Sequence, residues 1–186
     1  MIRIGVIGYG YWGPNLVRNF AELKGAELAA VADLDPKKLE LVNKRFPAVK
    51  TTTDFQEMLR DPNIDAIAIA TPVSTHFELG MAALKSGKHV WLEKPMTETS
   101  LQARQLVDAA EKKKLVLHVD HTFIYTGAVK KMKDLVAGDE LGKVLYYDST
   151  RVNLGLFQRD VSVISDLAVH DFSILDYLLE EQPTAV

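Results

Sequence analysis

Residues 2–13 read Ile-Arg-Ile-Gly-Val-Ile-Gly-Tyr-Gly-Tyr-Trp-Gly, so a short apolar run leads directly into glycines at positions 8, 10 and 13. The apolar run predicts a buried strand, and the apolar residues that recur every three or four positions after Pro14 predict a helix. Between such a strand and such a helix, Gly8 allows a tight turn, Gly10 leaves space for a pyrophosphate, and Gly13 lets helix and strand pack closely. The N–H groups at the helix start would then face the anion.

The spacing of these glycines is a weak signal by itself, because glycine-rich turns without a ligand also occur. Their position between a strand and a helix makes a dinucleotide site the favoured interpretation. Tyr11 and Trp12 lie inside the motif and are predicted to bind the cofactor with it. A turn that binds nothing remains the alternative.

The same alternation continues along the chain and predicts the fold class. Short apolar runs predict strands at residues 2–7, 28–32, 64–70, 89–92 and 115–119. Helical periodicity falls between them, at residues 14–23, 36–46, 75–85 and 100–113. Strand–helix–strand units of this length require right-handed crossovers, so we predict an α/β fold of Rossmann type, a doubly wound parallel sheet with helices on both faces.

The remaining residues predict the start of a second domain. A helical pattern covers residues 127–137, a Tyr- and Thr-containing run at 144–152 predicts a strand with one exposed face, and residues 165–179 are again helical. One strand and two helices do not complete a domain. We therefore expect residues 1–122 to form the nucleotide-binding domain and residues 123–186 to begin a truncated α+β domain.

Composition excludes several classes of function. The net charge is −3, with 47% hydrophobic and 25% charged residues, and Lys and Arg are mixed with acids, so nucleic acid is not an expected partner. There is no cysteine, which excludes disulfides and thiolate catalysis and leaves redox chemistry to a bound cofactor. No apolar run approaches the ~20 residues of a membrane span, and we expect a cytoplasmic protein without membrane contact.

An acid follows the second predicted strand and indicates which dinucleotide is bound. Asp33 lies twenty residues after Gly13, where a carboxylate can accept hydrogen bonds from the adenosine ribose hydroxyls. Leu34 follows instead of Arg, and a carboxylate at position 33 would repel a 2′-phosphate, so NAD is favoured over NADP. Two alternatives stay open: Asp33 is a solvated turn residue, or Lys37 or Lys38 reaches toward a phosphate.

Two further strand ends are expected to border the nicotinamide half of the cofactor. Thr71 and Pro72 end one strand and His76 opens the next helix, while Glu93-Lys94-Pro95 ends the following strand. Ligands of doubly wound sheets lie beyond the carboxyl ends of strands. There Lys94 could exchange a proton with a substrate hydroxyl or donate a hydrogen bond to it. The alternative is an ordinary surface Glu–Lys pair.

Asp166 and His170 are four residues apart on the last predicted helix, which places both side chains on one face. A carboxylate that orients an imidazole is the pair a general base needs to remove a proton from an alcohol. By spacing alone a helical salt bridge is favoured. A metal site with Asp171 or His121 is a third interpretation, and no metal is predicted.

Five motifs, in this order, resemble those of the Gfo/Idh/MocA oxidoreductase family: Gly8 to Gly13, Asp33, Thr71-Pro72 with His76, Glu93-Lys94-Pro95 and Asp166-x-x-x-His170. The resemblance covers essentially the whole chain. It implies that Lys94, Asp166 and His170 are the catalytic residues. Lys94 would polarise the substrate hydroxyl, His170 would act as acid or base with Asp166 orienting it, and Glu93 would contact the nicotinamide ribose.

A second stretch is similar to the sugar-nucleotide branch of that family, which includes UDP-N-acetylglucosaminuronate 3-dehydrogenases. It comprises Arg151-x-Asn153-Leu-Gly, Arg159-Asp160 and Asp166-Leu-Ala. The similarity implies that Arg151, Asn153, Arg159 and His170 bind substrate, and guanidinium groups suit a carboxylate or phosphate. Arginines in strands and loops are also ordinary surface residues. The chain departs from the family at Asp120, where a small residue is common, and at Val169, where this branch often has Pro.

The expected function is transfer of a hydride between the nicotinamide of NAD(H) and a secondary alcohol of a sugar or sugar nucleotide. One alternative is an NAD-binding module that is catalytically incomplete. Another is an NAD-dependent glycoside hydrolase, in which the redox step is transient. The expected partner is a small sugar-like substrate, and a sheet edge exposed near Val144 predicts a homo-oligomer.

Overall fold

Six parallel strands form one sheet in the first part of the protein. The structure is a computed structural model that describes residues 1–138, 142–152, 161–179 and 183–185. The strands are β1 (Ile2–Ile7), β2 (Ala26–Ala32), β3 (Lys50–Thr52), β4 (Ala66–Ile69), β5 (His89–Leu92) and β6 (Leu117–Val119). Their order is β3-β2-β1-β4-β5-β6, and every neighbouring pair is parallel. The predicted doubly wound α/β fold is confirmed.

Helices cover both faces of this sheet. They are α1 (Gly13–Glu22), α2 (Pro36–Arg45), α3 (Phe55–Arg60), α4 (His76–Lys85) and α5 (Ser100–Lys113). Because successive strand side chains point to opposite faces, Val6 packs with α1 and α2 while its neighbour Ile7 packs with α3, α4 and α5. Two apolar cores result, and together they fix the carboxyl ends of the strands as one rigid edge.

The apolar strands and the longer helices lie close to their predicted positions, whereas β3 and α3 were not predicted. β3 is three residues long and partly exposed, with the sequence Lys-Thr-Thr, so no apolar run marks it. α3 is six residues long and begins after Asp54, whose carboxylate accepts a hydrogen bond from the N–H of Gln56. A short capped turn of this kind has too few residues to show a helical period.

The chain divides into two units, Met1–Asp120 and His121–Val186. In the second unit, a 3-10 turn at Thr122–Tyr125 precedes helix α6 (Gly127–Ala137). A π-helical turn at Ile164–Ala168 leads into helix α7 (Val169–Leu179). The ammonium group of Lys133 on α6 lies 5.6 Å from the ring centre of Tyr177 on α7.

The strand predicted for residues 144–152 is wrong, because these residues form no strand in the structure. A strand is held by hydrogen bonds to a neighbour, and no described residue pairs with this segment. Its apolar side chains are exposed: 85% of Leu145 and 87% of Val152 are accessible to solvent.

Within the described residues, no helix has both the length and the apolar character needed to cross a membrane. In the same residues, no group of three or more His, Cys, Asp or Glu side chains is arranged to hold a metal ion.

Candidate functional site

The carboxyl ends of the central strands bring the predicted site residues of the first unit to one edge of the sheet. The chain leaves β1 toward β2 on one side, and the later strands β4 to β6 lie on the other side of β1. Such a change of direction opens a crevice beyond the strand ends, where doubly wound folds bind ligands. Gly8 follows β1, Asp33 follows β2, Thr71 lies just beyond β4 and Glu93 follows β5.

The loop after β1 requires glycine at two of its three positions. Gly8 has a φ of 97°, and a Cβ there would lie 2.6 Å from the carbonyl oxygen of Ala70. A Cβ on Gly13 would overlap the carbonyl oxygen of Gly8. At Gly10, by contrast, an added Cβ would meet nothing within 4 Å. The first and third glycines therefore shape the loop, while the second leaves open space above it.

The start of α1 has the properties of an anion site. No side chain caps it, and its first turn carries no acid. The two aromatic residues before the helix are accessible, with Tyr11 exposed by 78% and Trp12 by 40%. Backbone N–H groups at such an uncapped helix start are suited to a phosphate.

Asp33 ties the end of β2 to this glycine-rich loop. Its Oδ2 accepts a 2.7 Å hydrogen bond from the N–H of Tyr9, and its Oδ1 accepts one of 2.9 Å from the N–H of Asp35. The Nζ of Lys38 lies 3.4 Å from Oδ2, and the Asp33 side chain is 9% exposed. The predicted ribose-binding carboxylate is thus held in place by the loop that would hold the pyrophosphate.

His76 joins two of the strand-end loops. It is 1% exposed, its Nε2 lies 2.9 Å from the carbonyl oxygen of Thr71, and its Nδ1 lies 3.0 Å from that of Pro95. Burial lowers the pKa of His76, against the smaller raising effect of these hydrogen bonds. The Thr71 hydroxyl lies 2.7 Å from the hydroxyl of Thr75. The ring of His76 therefore holds together the loops that carry Thr71, Pro72 and Lys94, and cofactor contact by His76 itself stays a prediction.

Glu93 and Asp120 form a buried carboxyl pair at the ends of β5 and β6. Glu93 is 9% exposed and Asp120 is 6% exposed. Burial raises the pKa of Glu93 to about 8, with further contributions from the charge of Asp120 and a hydrogen bond to it, and Lys94 opposes the shift. Asp120 was missed as a site residue at the sequence level, although it directly follows a predicted strand. That position was the signal that could have identified it.

His170 in the second unit is buried, and the ring of Phe123 lies edge-on to it with the ring centres 4.7 Å apart. Asp166 lies in the π-helical turn that leads into α7. The roles of Asp166 and His170 stay predictions.

Arg151, in the second unit, contacts Asp171 and Phe123. Its Nε donates a 2.7 Å hydrogen bond to Oδ2 of Asp171, and its guanidinium carbon lies 5.0 Å from the ring centre of Phe123. The Ser149 hydroxyl donates a 2.7 Å hydrogen bond to the other oxygen of Asp171. The hydrogen bond from Arg151 is the main cause that lowers the pKa of Asp171. The other predicted substrate residues, Asn153 and Arg159, lie outside the described residues.

The first unit fits a dinucleotide along its whole edge. Asp33 suits the adenosine ribose, and the open space at Gly10 with the start of α1 suits the pyrophosphate. At the far end, Oε1 of Glu93 is buried and has no hydrogen-bond partner among the described residues. An unpartnered buried carboxyl oxygen is costly unless a ligand supplies its partner.

Several relatives align with most of the length of this chain. The chain is 40% identical over 149 residues to the uncharacterized oxidoreductase YdgJ of Escherichia coli strain K12, covering 80% of this chain and 42% of the relative. It is 27% identical to a myo-inositol 2-dehydrogenase of Thermotoga maritima, covering 97% of this chain and 56% of the relative. It is 32% identical to a dTDP-3,4-didehydro-2,6-dideoxy-alpha-D-glucose 3-reductase of Saccharopolyspora spinosa, covering 77% of this chain and 43% of the relative. The chain thus spans about half the length of the relatives it matches.

The fold agrees with these relatives. A crystal structure of a probable dehydrogenase from Thermotoga maritima superimposes with a TM-score of 0.85 at 27% identity, covering 97% of this chain and 56% of the other. Residues 2–121 match the sequence model of the Gfo/Idh/MocA group, described as an oxidoreductase family with an NAD-binding Rossmann fold. The chain belongs to the Gfo/Idh/MocA oxidoreductase family.

Proposed function

We propose that this protein is an NAD(H)-dependent oxidoreductase that acts on a secondary alcohol of a sugar or a sugar-like cyclic polyol. The observation that carries the proposal is the bond between Asp33 and the N–H of Tyr9. It places a carboxylate next to the glycine-rich loop, where the ribose hydroxyls of a dinucleotide would arrive. Because the chain spans about half the length of its relatives, the activity of the whole protein is itself part of this proposal.

A bound nicotinamide would supply the site that accepts or donates a hydride. The chain's own groups would then manage the proton of the substrate hydroxyl. By the family resemblance, Lys94 donates a hydrogen bond to that hydroxyl and His170 takes its proton during oxidation. Asp166 is the proposed partner that orients His170.

NAD is proposed as the physiological cofactor because Asp33 would repel the extra phosphate of NADP. Lys38 works in the opposite direction, since its ammonium group lies 3.4 Å from the same carboxylate. The preference for NAD therefore requires that the repulsion of a 2′-phosphate by Asp33 exceed its attraction by Lys38.

The substrate class is proposed from the names of two relatives, one for myo-inositol and one for a dTDP-linked sugar. Both names describe hydroxylated six-membered rings, which differ in whether a nucleotide is attached. A sugar nucleotide would need cationic groups for its phosphates, and Arg151, Asn153 and Arg159 remain candidates for that contact. UDP-linked uronates are one member of this class to be tested.

The experiment measures NADH binding by calorimetry and then follows the absorbance of the reduced nicotinamide with free polyols, sugars and sugar nucleotides. Lys94→Ala should lose turnover while keeping its affinity for NADH, and the exposed Lys112→Ala on α5 is the matched control. Equal loss of turnover in both variants would contradict the role of Lys94. Binding of NADH without turnover of any substrate would favour a cofactor-binding module.

A further inference from the structure

Two acidic side chains lie side by side at the edge of the sheet where the dinucleotide is proposed to bind. In the pairing of β5 with β6, Leu92 is opposite Val119, so Glu93 and Asp120 are the next residues beyond the paired strands. Their backbones are fixed: the N–H of Glu93 donates to Ile69 and the N–H of Asp120 donates to Leu92, at 3.0 and 2.8 Å. Both side chains are more than nine-tenths buried.

Two buried carboxyl groups at adjacent strand ends favour a shared proton over two negative charges. A carboxylate only accepts hydrogen bonds, so two ionised carboxylates would have no donor between them and would repel each other in a poorly hydrated place. Burial and Asp120 raise the pKa of Glu93 to about 8, and the charge of Lys94 offsets only part of this effect. His76 also lies at these strand ends, and burial favours its neutral form. His118 and His121 flank Asp120 in the sequence and are the other titratable residues next to the pair.

The pair also has an unused oxygen. Oε1 of Glu93 is buried and lacks a hydrogen-bond partner in the described part of the chain. Glu93 lies on the β4–β5–β6 side of the crevice, whereas Asp33 lies on the β2 side. With the adenosine half at Asp33, the nicotinamide half extends toward Glu93.

We propose that Glu93 and Asp120 share one proton and bind the nicotinamide half of the dinucleotide as a single unit, which releases that proton to solvent when the cofactor is oxidised. Asp120 is the positioning residue of this unit, and Glu93 is the residue that contacts the cofactor. The proposal rests on the proposed function, because it needs NAD(H) at this edge. Its physical basis is charge: the oxidised nicotinamide ring is cationic and the reduced ring is neutral. A cation beside the pair favours its fully ionised form.

The test counts the protons released when each form of the cofactor binds. NAD⁺ and NADH are titrated calorimetrically into the full chain near pH 8, where the pair is partly protonated, in two buffers of different ionisation enthalpy. NAD⁺ should release about half a proton more than NADH, because only the oxidised ring lowers the proton affinity of the pair. Equal proton counts for the two forms between pH 7 and pH 9 would overturn the proposal while leaving the proposed function intact. Failure of both forms to bind would overturn both.

Three variants separate the pair from other titrating groups. Glu93→Gln should abolish the difference between NAD⁺ and NADH, while Glu98→Gln, an exposed carboxyl on the same loop, should retain it. Asp120→Asn should move the difference to lower pH, because it removes the repelling charge but keeps a hydrogen-bonding side chain of the same shape. A purely structural role for Asp120 would weaken the binding of both forms equally and leave the difference at its original pH.

A second measurement follows the pair without cofactor. Carbon NMR of the labelled carboxyl groups should show one titration near pH 8 that is absent in Glu93→Gln and shifted to lower pH in Asp120→Asn. Carboxyl groups that all titrate below pH 6 would overturn the shared proton.

Discussion

The Oδ2 atom of Asp33 accepts a 2.7 Å hydrogen bond from the backbone N–H of Tyr9, the residue between the first two glycines of the loop after β1. The end of β2 and the glycine-rich loop therefore behave as one structural unit. The ammonium group of Lys38 lies 3.4 Å from the same oxygen, so a negative and a positive charge lie side by side where a 2′-phosphate would bind. Cofactor choice should depend on both side chains.

Asp33→Ser should weaken NADH binding by about 10- to 100-fold, the effect expected for loss of a hydrogen bond to a charged group. The same variant should bind NADPH better relative to NADH, because the carboxylate no longer repels the 2′-phosphate. Calorimetric Kd values for both cofactors measure this. Asp35→Asn, which keeps an N-cap on α2, is the control and should change neither Kd. An unchanged NADPH-to-NADH ratio in Asp33→Ser would contradict the role of Asp33.

Adding Lys38→Ala to Asp33→Ser should remove the gain in NADPH affinity. In the single variant, Lys38 is released from its carboxylate and becomes free to pair with a phosphate. The double variant therefore isolates the contribution of Lys38, and high salt should reduce that contribution. If NADPH affinity stays high without Lys38, another cation is responsible.

Gly10→Ala should leave folding unchanged and weaken dinucleotide binding by about 10- to 100-fold, because the methyl group would occupy space needed by the pyrophosphate. Thermal unfolding and calorimetry measure the two effects separately. Gly127→Ala, where an added Cβ also meets nothing within 4 Å, is the matched control and should change neither. Full NADH affinity in Gly10→Ala would place the pyrophosphate elsewhere.

His76→Ala should destabilise the protein by about 2–3 kcal/mol, because a part-buried carbonyl group loses its hydrogen bond from the ring and a cavity forms. Urea unfolding measures this cost. His76→Gln retains an amide that can donate to one carbonyl and should recover part of the loss. A loss below about 0.5 kcal/mol in His76→Ala would show that the ring does not hold the two loops together.

Stability without cofactor should depend on pH through two groups of opposite sign, which oppose each other between pH 4.5 and 6.5, so that above pH 6.5 only the fall caused by Glu93 remains. The pKa of Glu93 is raised from 4.5 to about 8 on folding, so the folded state holds the proton more tightly and stability falls as pH rises through that window. The pKa of His76 is lowered from 6.5, so stability falls as pH drops below that value because the unfolded chain binds the proton more readily. Chemical unfolding across this range measures both. Glu93→Gln should flatten the alkaline side, and persistence of that slope would assign it to another group.

Local sequence patterns predicted most of the nucleotide-binding fold. The strands at Ile2–Ile7 and His89–Leu92 begin and end where their apolar runs do, because strands buried in a parallel sheet are apolar on both faces. β3 could not be predicted, because its Lys-Thr-Thr sequence contains no apolar run and only its pairing with β2 makes it a strand. The segment at 144–152 shows the converse: a strand-like pattern forms no strand without a partner.

The candidate site was predictable where a motif has a fixed spacing, as with the three glycines and Asp33. It was not predictable where function depends on strand register. Glu93 and Asp120 are far apart in sequence and become neighbours only because Leu92 pairs with Val119.

The most direct test of the central claim is calorimetric titration of the full chain with NADH and, in parallel, with NADPH. The account predicts that one NADH binds per chain and that NADPH binds at least about tenfold more weakly, because of the charge at Asp33. Absence of binding by both, or tighter binding of NADPH than of NADH, would contradict it.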